Sequence, residues 1–298
     1  MECRVAPEDH EVWFYDTRPN LIDRIVAFAV DGLRQGERVM LVAEVDLLTA
    51  VYARVADAGV DLSLLVTADA SDILSRFYIH GAIERDAFDA SVAELVRSQS
   101  TDRPLRVFGE MVARLWADGA VQAAIQLEAL WSELRASTAF SLLCAYPSDI
   151  TLTERMHGPV NAVCGLHSEI ALGDNGRAAA LRVYPPSFDA IREVRRFVRA
   201  CIGRGGAAAD DVVLVASELA TNAVRHAQSP FVVHVAVADD SLRLGVRDAS
   251  SDNPQLVPLT GVAESGRGIA MVAALSDRWG TEQHAVGKTV WAELPLER

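Results

Sequence analysis

Between residues 20 and 145, short apolar runs alternate with helical stretches, and that alternation restricts the fold more than any other feature of the chain. Leu21, Ile25, Phe28 and Ala29 share one side of a helix over 20–34, which Gly36 stops. Strands are predicted over 38–43, 62–66, 105–108 and 140–145. Helices are predicted from a cap at Asp46 to residue 58, then over 88–97 and 121–134. Strands separated by helices cannot pair as hairpins. They form a parallel sheet covered on both faces.

The second half has a different grammar. Ser187 is read as the cap of a helix whose apolar face is Phe188, Ile191, Val194, Phe197, Val198 and Cys201. The break over 203–206 precedes a helix over 210–227, where Val213, Ala216, Ala220, Ala223 and Ala227 form a face small enough to pack closely. Two alternating runs then follow, around Phe231, Val233, Val235 and around Leu242, Leu244, Val246. They read as a hairpin with one buried face. A short helix over 269–275 and strands over 276–284 and 288–294 complete the half. A chain of 298 residues suggests two domains, and the turn-rich segment 173–177 is the natural break. The reading is a first domain over 1–172, a linker and entry strand over 173–187, and a second domain over 188–298.

Composition removes several function classes. A net charge of −13 opposes direct contact with nucleic acid or an anionic membrane. The acidic N-terminus lacks a signal-peptide pattern, and no apolar run approaches a membrane span, so a cytoplasmic protein is expected. Cysteines at 3, 144, 164 and 201 are scattered, so no spacing calls for structural zinc. No Gly-x-x-x-x-Gly-Lys-Ser/Thr occurs, which removes P-loop chemistry from the first half.

Chemistry-bearing residues remain in both halves. Glu218 and Asn222 stand one turn apart on the 210–227 helix, away from its small face, where an acid and a carboxamide can share a metal ion and a water. Asp248 falls where the strand pattern asks for an apolar residue, a costly place for an unpaired carboxylate. Gly266-Arg267-Gly268 opens a helix, offering free N–H groups to an anion. In the first half His10, Tyr15, Glu110, Cys144, Tyr146 and His167 lie near strand ends, where open α/β sheets bind ligands. Taken singly, each is better explained by ordinary packing.

Two resemblances organise these residues. Glu218-x-x-x-Asn222-Ala223-x-x-His226, Asp248, Gly266-Arg267-Gly268 and Thr289 occur in the order of the boxes of the GHKL (Bergerat-fold) ATPases, and most resemble the anti-sigma-factor serine kinase branch. The resemblance implies an α/β sandwich in the second half. It also implies ATP with Mg²⁺ held by Asn222, adenine contacts from Asp248 and Thr289, a phosphate turn at 266–268, and Glu218 as general base. Arg225 and Arg267 then face the γ-phosphate or are simply surface arginines, and residues 249–265 form an ATP lid. Where the family has Asp-x-Gly-x-Gly, this chain has Asp248-Ala249-Ser250-Ser251-Asp252, without either glycine. That departure bears on how closely the backbone approaches a nucleotide.

In the first half, His10-x-x-x-x-Tyr15, Gly32-Leu33-x-x-Gly36-Glu37, Phe108-Gly109-Glu110-Met111, Leu127-Glu128-x-x-Trp131 and Leu143-Cys144-Ala145-Tyr146-Pro147 resemble the MEDS (DcmR-type) sensory domain. That likeness implies a RecA/KaiC-like parallel α/β core without a working P-loop, sensing a small organic ligand. Together they imply partner switching, in which a sigma factor is held and a STAS-type anti-anti-sigma protein is phosphorylated. Kinases of this branch are often dimers, so a homodimer is also implied. A binding module without catalysis and a sensor without ATP function are the competing readings.

Overall fold

The structure is a computed structural model that describes residues 10–100, 102–153, 156–172, 177–178, 180–203, 206–237, 241–254 and 267–296. The chain divides into two compact units, Met1–Pro147 with Gly165–Asp174, and Ser148–Cys164 with Asn175–Arg298. The segment read as a linker, 173–176, lies outside the described residues.

The first unit is built on a sheet ordered Leu65–Asp69, Arg38–Ala43, Leu105–Gly109, Ser141–Pro147, His10–Tyr15 and Glu169–Leu172. Every pairing from Leu65–Asp69 through Glu169–Leu172 is parallel. Side chains alternate across the sheet with period two. Trp13, Leu41, Phe108, Leu143 and Ala145 join Leu21, Ile25, Leu47 and Val51 of helices Arg18–Arg34 and Val45–Asp57 in one core. Burying each large side chain contributes about 1.5–3 kcal/mol. By the same alternation His10, Cys144 and Tyr146 fall on the other face, which carries the helix Val121–Ser137.

Two local expectations are corrected here. The helix expected to be capped by Asp46 starts at Val45 behind Glu44, leaving Asp46 in its first turn. The strand expected over 62–66 is Leu65–Asp69, because Asp61 captures the Ser63 N–H at 2.9 Å and winds Leu62–Leu64 into a single 3-10 turn.

The second unit has an antiparallel sheet ordered Ala180–Tyr184, Phe231–Val237, Ser241–Asp248, Lys288–Pro295 and Arg278–Gln283. Helices Ala190–Ile202, Ala207–His226 and Arg267–Leu275 contribute to a single core with it. In Ala207–His226 the buried alanines 216, 220 and 223 let the backbone come close to its neighbours, as the small face predicts. Asn161, on the helix His157–Gly165, pairs with the Val183 backbone in both directions, at 2.9 and 3.1 Å.

The helix Ala190–Ile202 departs from expectation. It begins at Ala190 with Asp189 in the cap position, while Ser187 accepts the Ala190 N–H through its carbonyl. Phe188 therefore precedes the helix and is 59% exposed rather than part of its apolar face. Among the described residues no helix is long and apolar enough to cross a membrane.

Candidate functional site

The close packing of Ala207–His226 puts Glu218 and Asn222 beside the start of the helix Arg267–Leu275. Both side chains are half-buried. Gly268 is the contact. A Cβ added there would lie 2.7 Å from Glu218 Oε2 and 3.6 Å from Asn222 Nδ2. The space before the acid and the carboxamide exists because residue 268 has no side chain. Helix N–H groups and one acid–amide pair thus share a single cradle, which suits a phosphate-bound divalent cation. Gly266 lies outside the described residues, and of Arg267 the structure describes the backbone alone.

Asp248 ends the strand Ser241–Asp248 and is 4% exposed. The strand register places it opposite Lys288, which is equally buried. Lys288 Nζ donates to Asp248 Oδ1 at 2.8 Å and to the Ser250 carbonyl at 3.2 Å. The Ser250 N–H donates to the same Oδ1 at 2.9 Å. An ionised carboxylate has about four acceptor positions, so Asp248 retains acceptor capacity beyond these two contacts. Thr289, also buried, shares a 2.8 Å hydrogen bond with His284 Nε2.

These contacts explain how the turn dispenses with the family's glycines. Asp248 closes the turn with its own side chain, and no residue among the described 249–254 has a positive φ. The close approach is instead made by Gly287, at φ +74°, whose added Cβ would overlap the Asp248 carbonyl oxygen and sit 2.8 Å from Ala249 Cα. Gly287→Ala is therefore expected to cost more than the roughly 1–3 kcal/mol of a left-handed non-glycine residue. Urea unfolding should show a lowered midpoint, and an unchanged midpoint would mean that this contact carries no constraint.

In the first unit, four of the six sequence candidates meet and two do not. His10, Cys144, Tyr146 and His167 converge on Glu128 of the helix Val121–Ser137. Tyr15 lies five residues along the strand from His10, about 16 Å at the usual rise. Glu110 pins two strand ends elsewhere, taking the Glu44 N–H at 2.8 Å while its own N–H reaches the Val42 carbonyl at 2.8 Å. Burial raises its carboxyl above the ordinary value. The cluster thus lies inside one sheet face, under a helix, and not in a crevice at the carboxyl ends of the strands.

The electrostatics of the cluster follow from burial. Desolvation holds the His10 imidazole down, to about 4, so it is neutral at pH 7. Burial opposes ionisation of Glu128, but His167 and His10 beside it outweigh that and keep the carboxyl below the usual carboxylate range. Burial, with Glu128 beside it, pushes the Cys144 thiol well up.

Three residues of these sites are not among the site candidates read from sequence, although Glu128 stands in the Leu127-Glu128-x-x-Trp131 motif. Glu128 shares the apolar stripe of Ala124, Leu127 and Trp131, and an acid in such a stripe signals a buried partner. Lys288 precedes Val290, Ala292 and Leu294 on one inward face, the same signal in a strand. His284 carries none, because only the hairpin register brings it to Thr289.

Residues 9–161 match the family model of the MEthanogen/methylotroph, DcmR Sensory domain. Residues 184–294 match that of the histidine kinase-like ATPase domain. No curated protein matches the chain. Among solved structures, the histidine kinase domain from the Erythrobacter litoralis EL346 blue-light activated histidine kinase is similar at 16% identity, covering 71% of this chain and 96% of that one, with a TM-score of 0.25. The first match spans half of the chain, and the second contains Glu218, Asn222, Asp248, Gly268 and Thr289 in the order described. The chain belongs to the MEDS sensory-domain family and carries a histidine-kinase-like ATPase domain after its sensory domain.

Proposed function

We propose that this protein is an ATP-dependent anti-sigma regulator of the cytoplasm. Its second unit phosphorylates a Ser or Thr hydroxyl of a STAS-type anti-anti-sigma partner, and its first unit sets whether a sigma factor is held. The observation that carries the reading is the cradle of Glu218, Asn222 and Gly268 within a domain of the histidine-kinase-like ATPase family. ATP, when bound with Mg²⁺, supplies the phosphoryl group. In this reading Asn222 would hold the cation through its amide oxygen, the N–H groups at the start of Arg267–Leu275 would face phosphate, and Asp248 and Thr289 would face adenine. Glu218 takes the proton of the attacking hydroxyl.

A serine/threonine acceptor fits better than a histidine acceptor. A histidine kinase carries its phosphoacceptor on a helical hairpin before the ATPase domain, and the sequence from 173 to 187 holds neither a His nor room for a hairpin. The first unit is read as a RecA/KaiC-like core that senses a small organic ligand, and the whole as a homodimer. A second reading has one observation in its favour. Asp248 Oδ1 is already paired with Lys288, which suits a module that uses ATP only to order itself around a partner.

The test is transfer of label from γ-labelled ATP to a STAS partner by the full chain. Label on a Ser or Thr of the partner supports the kinase. ATP binding without transfer to any partner or to water supports the binding module. Because the first unit lacks a P-loop, titration of the full chain should saturate at one ATP per chain. Two per chain would place a nucleotide in the first unit and overturn the sensory reading.

A further inference from the structure

We propose that His10, Glu128, Cys144 and His167 form a binding site for a divalent transition-metal ion, of which Zn²⁺ is the best fit, buried in the first unit. This stands independently of the kinase reading. One ligand atom from each of the four residues lies within 4.8 Å of the others. His10 Nε2 is 3.6 Å from Glu128 Oε2 and 3.7 Å from Cys144 Sγ. His167 Nε2 and Cys144 Sγ are 3.4 and 3.3 Å from the same Glu128 oxygen. Tetrahedral Zn²⁺ with bonds of about 2.0–2.1 Å to nitrogen or oxygen and about 2.3 Å to sulfur places its ligand atoms roughly 3.3–3.6 Å apart. Four of the six edges, at 3.3–3.7 Å, are close to those of such a site.

The surroundings match a metal centre in three respects. The donors are two imidazoles, a thiolate and a carboxylate, a set that suits Zn²⁺ and is poor for Mg²⁺ or Ca²⁺. Two anions and two neutral rings cancel a divalent cation, so the filled site puts no net charge into a core where His10 is 1% and Glu128 0% exposed. The carboxylate is also pre-aimed. Tyr146 donates to Glu128 Oε1 at 2.7 Å, which turns Oε2 toward the other three donors. Among the described residues His10 Nδ1 has no hydrogen-bond partner, so the groups at the Nε2 edge are the polar contacts that set this ring's orientation. Metal entry releases the Cys144 proton to solvent as the thiolate–metal bond forms. The scattered cysteine spacing gave no hint of this, because the four ligands come from two strands, one helix and the turn leading into a third strand.

The test uses the full chain, without a metal-binding tag, stripped with a chelator and then given Zn²⁺ or Co²⁺ alone. One equivalent of Zn²⁺ should remain after desalting, and Co²⁺ should give a thiolate-to-metal charge-transfer band that Cys144→Ser removes. Tyr146→Phe leaves all four ligands in place and should weaken Zn²⁺ binding about 10–100-fold, as loss of an outer-shell contact does. Circular dichroism establishes that each variant folds, and Tyr146→Phe decides the matter if Cys144→Ser does not. A folded wild-type chain that retains no metal overturns the proposal. So does a cobalt spectrum unchanged by Cys144→Ser, or Zn²⁺ affinity unchanged by Tyr146→Phe.

Discussion

Replacing Glu218 by Gln is expected to lower phosphoryl transfer about 10²–10⁴-fold, the usual contribution of a general base, with little change in ATP affinity. The amide keeps the shape of the carboxylate and can still sit against Gly268, whose Cβ position is 2.7 Å from Oε2. It cannot take a proton. Asn222, one turn on, supplies the proposed cation contact and is untouched. The pair therefore separates catalysis from binding: Glu218→Gln should lower kcat, whereas Asn222→Ala should lower both kcat and Mg-dependent affinity. Paired titration and phosphotransfer assays measure this. Transfer at the wild-type rate by Glu218→Gln would remove it from the role of base.

Lys288→Met should destabilise the second unit by roughly 3–5 kcal/mol, the cost of stranding one partner of a buried ion pair. Lys288 and Asp248 are each only 4% exposed, and Lys288 also ties down the Ser250 carbonyl. Methionine matches the aliphatic stem but leaves the carboxylate without its cation. Adding Asp248→Asn removes the stranded charge, so the double variant should recover much of the loss. Urea unfolding of the single and double variants measures the coupling. A loss under about 1 kcal/mol, the range of an exposed pair, would mean that water reaches this pair.

The periodicities carried most of the fold. Short apolar runs separated by helices set the parallel sheet, and the alternation around Val233 and Leu244 set the antiparallel one. Local competition was harder to read. The Asp61 side chain and the backbone turn at Ser187 changed where a strand and a helix begin, because a single local hydrogen bond decides such a boundary. In the candidate ATPase site, helical spacing made Glu218 and Asn222 legible. The pairing of Asp248 with Lys288 was not, since forty residues separate them and only the register of two strands joins them. The Glu128 cluster shows the same limit. His10, Cys144 and His167 were visible one at a time, but their convergence depends on which strands are neighbours and which face each turns to the helix.

Isothermal titration of Mg-ATP into the full chain tests the central claim most directly, comparing wild type with Asn222→Ala and Asp248→Asn. Wild type should bind one ATP with Mg²⁺ present. Asp248→Asn replaces a charged acceptor, worth about 1.5–3 kcal/mol per hydrogen bond, and should bind roughly 10–100-fold more weakly. Asn222→Ala should lose the dependence on Mg²⁺. Equal, Mg-dependent affinity in all three proteins would contradict the account.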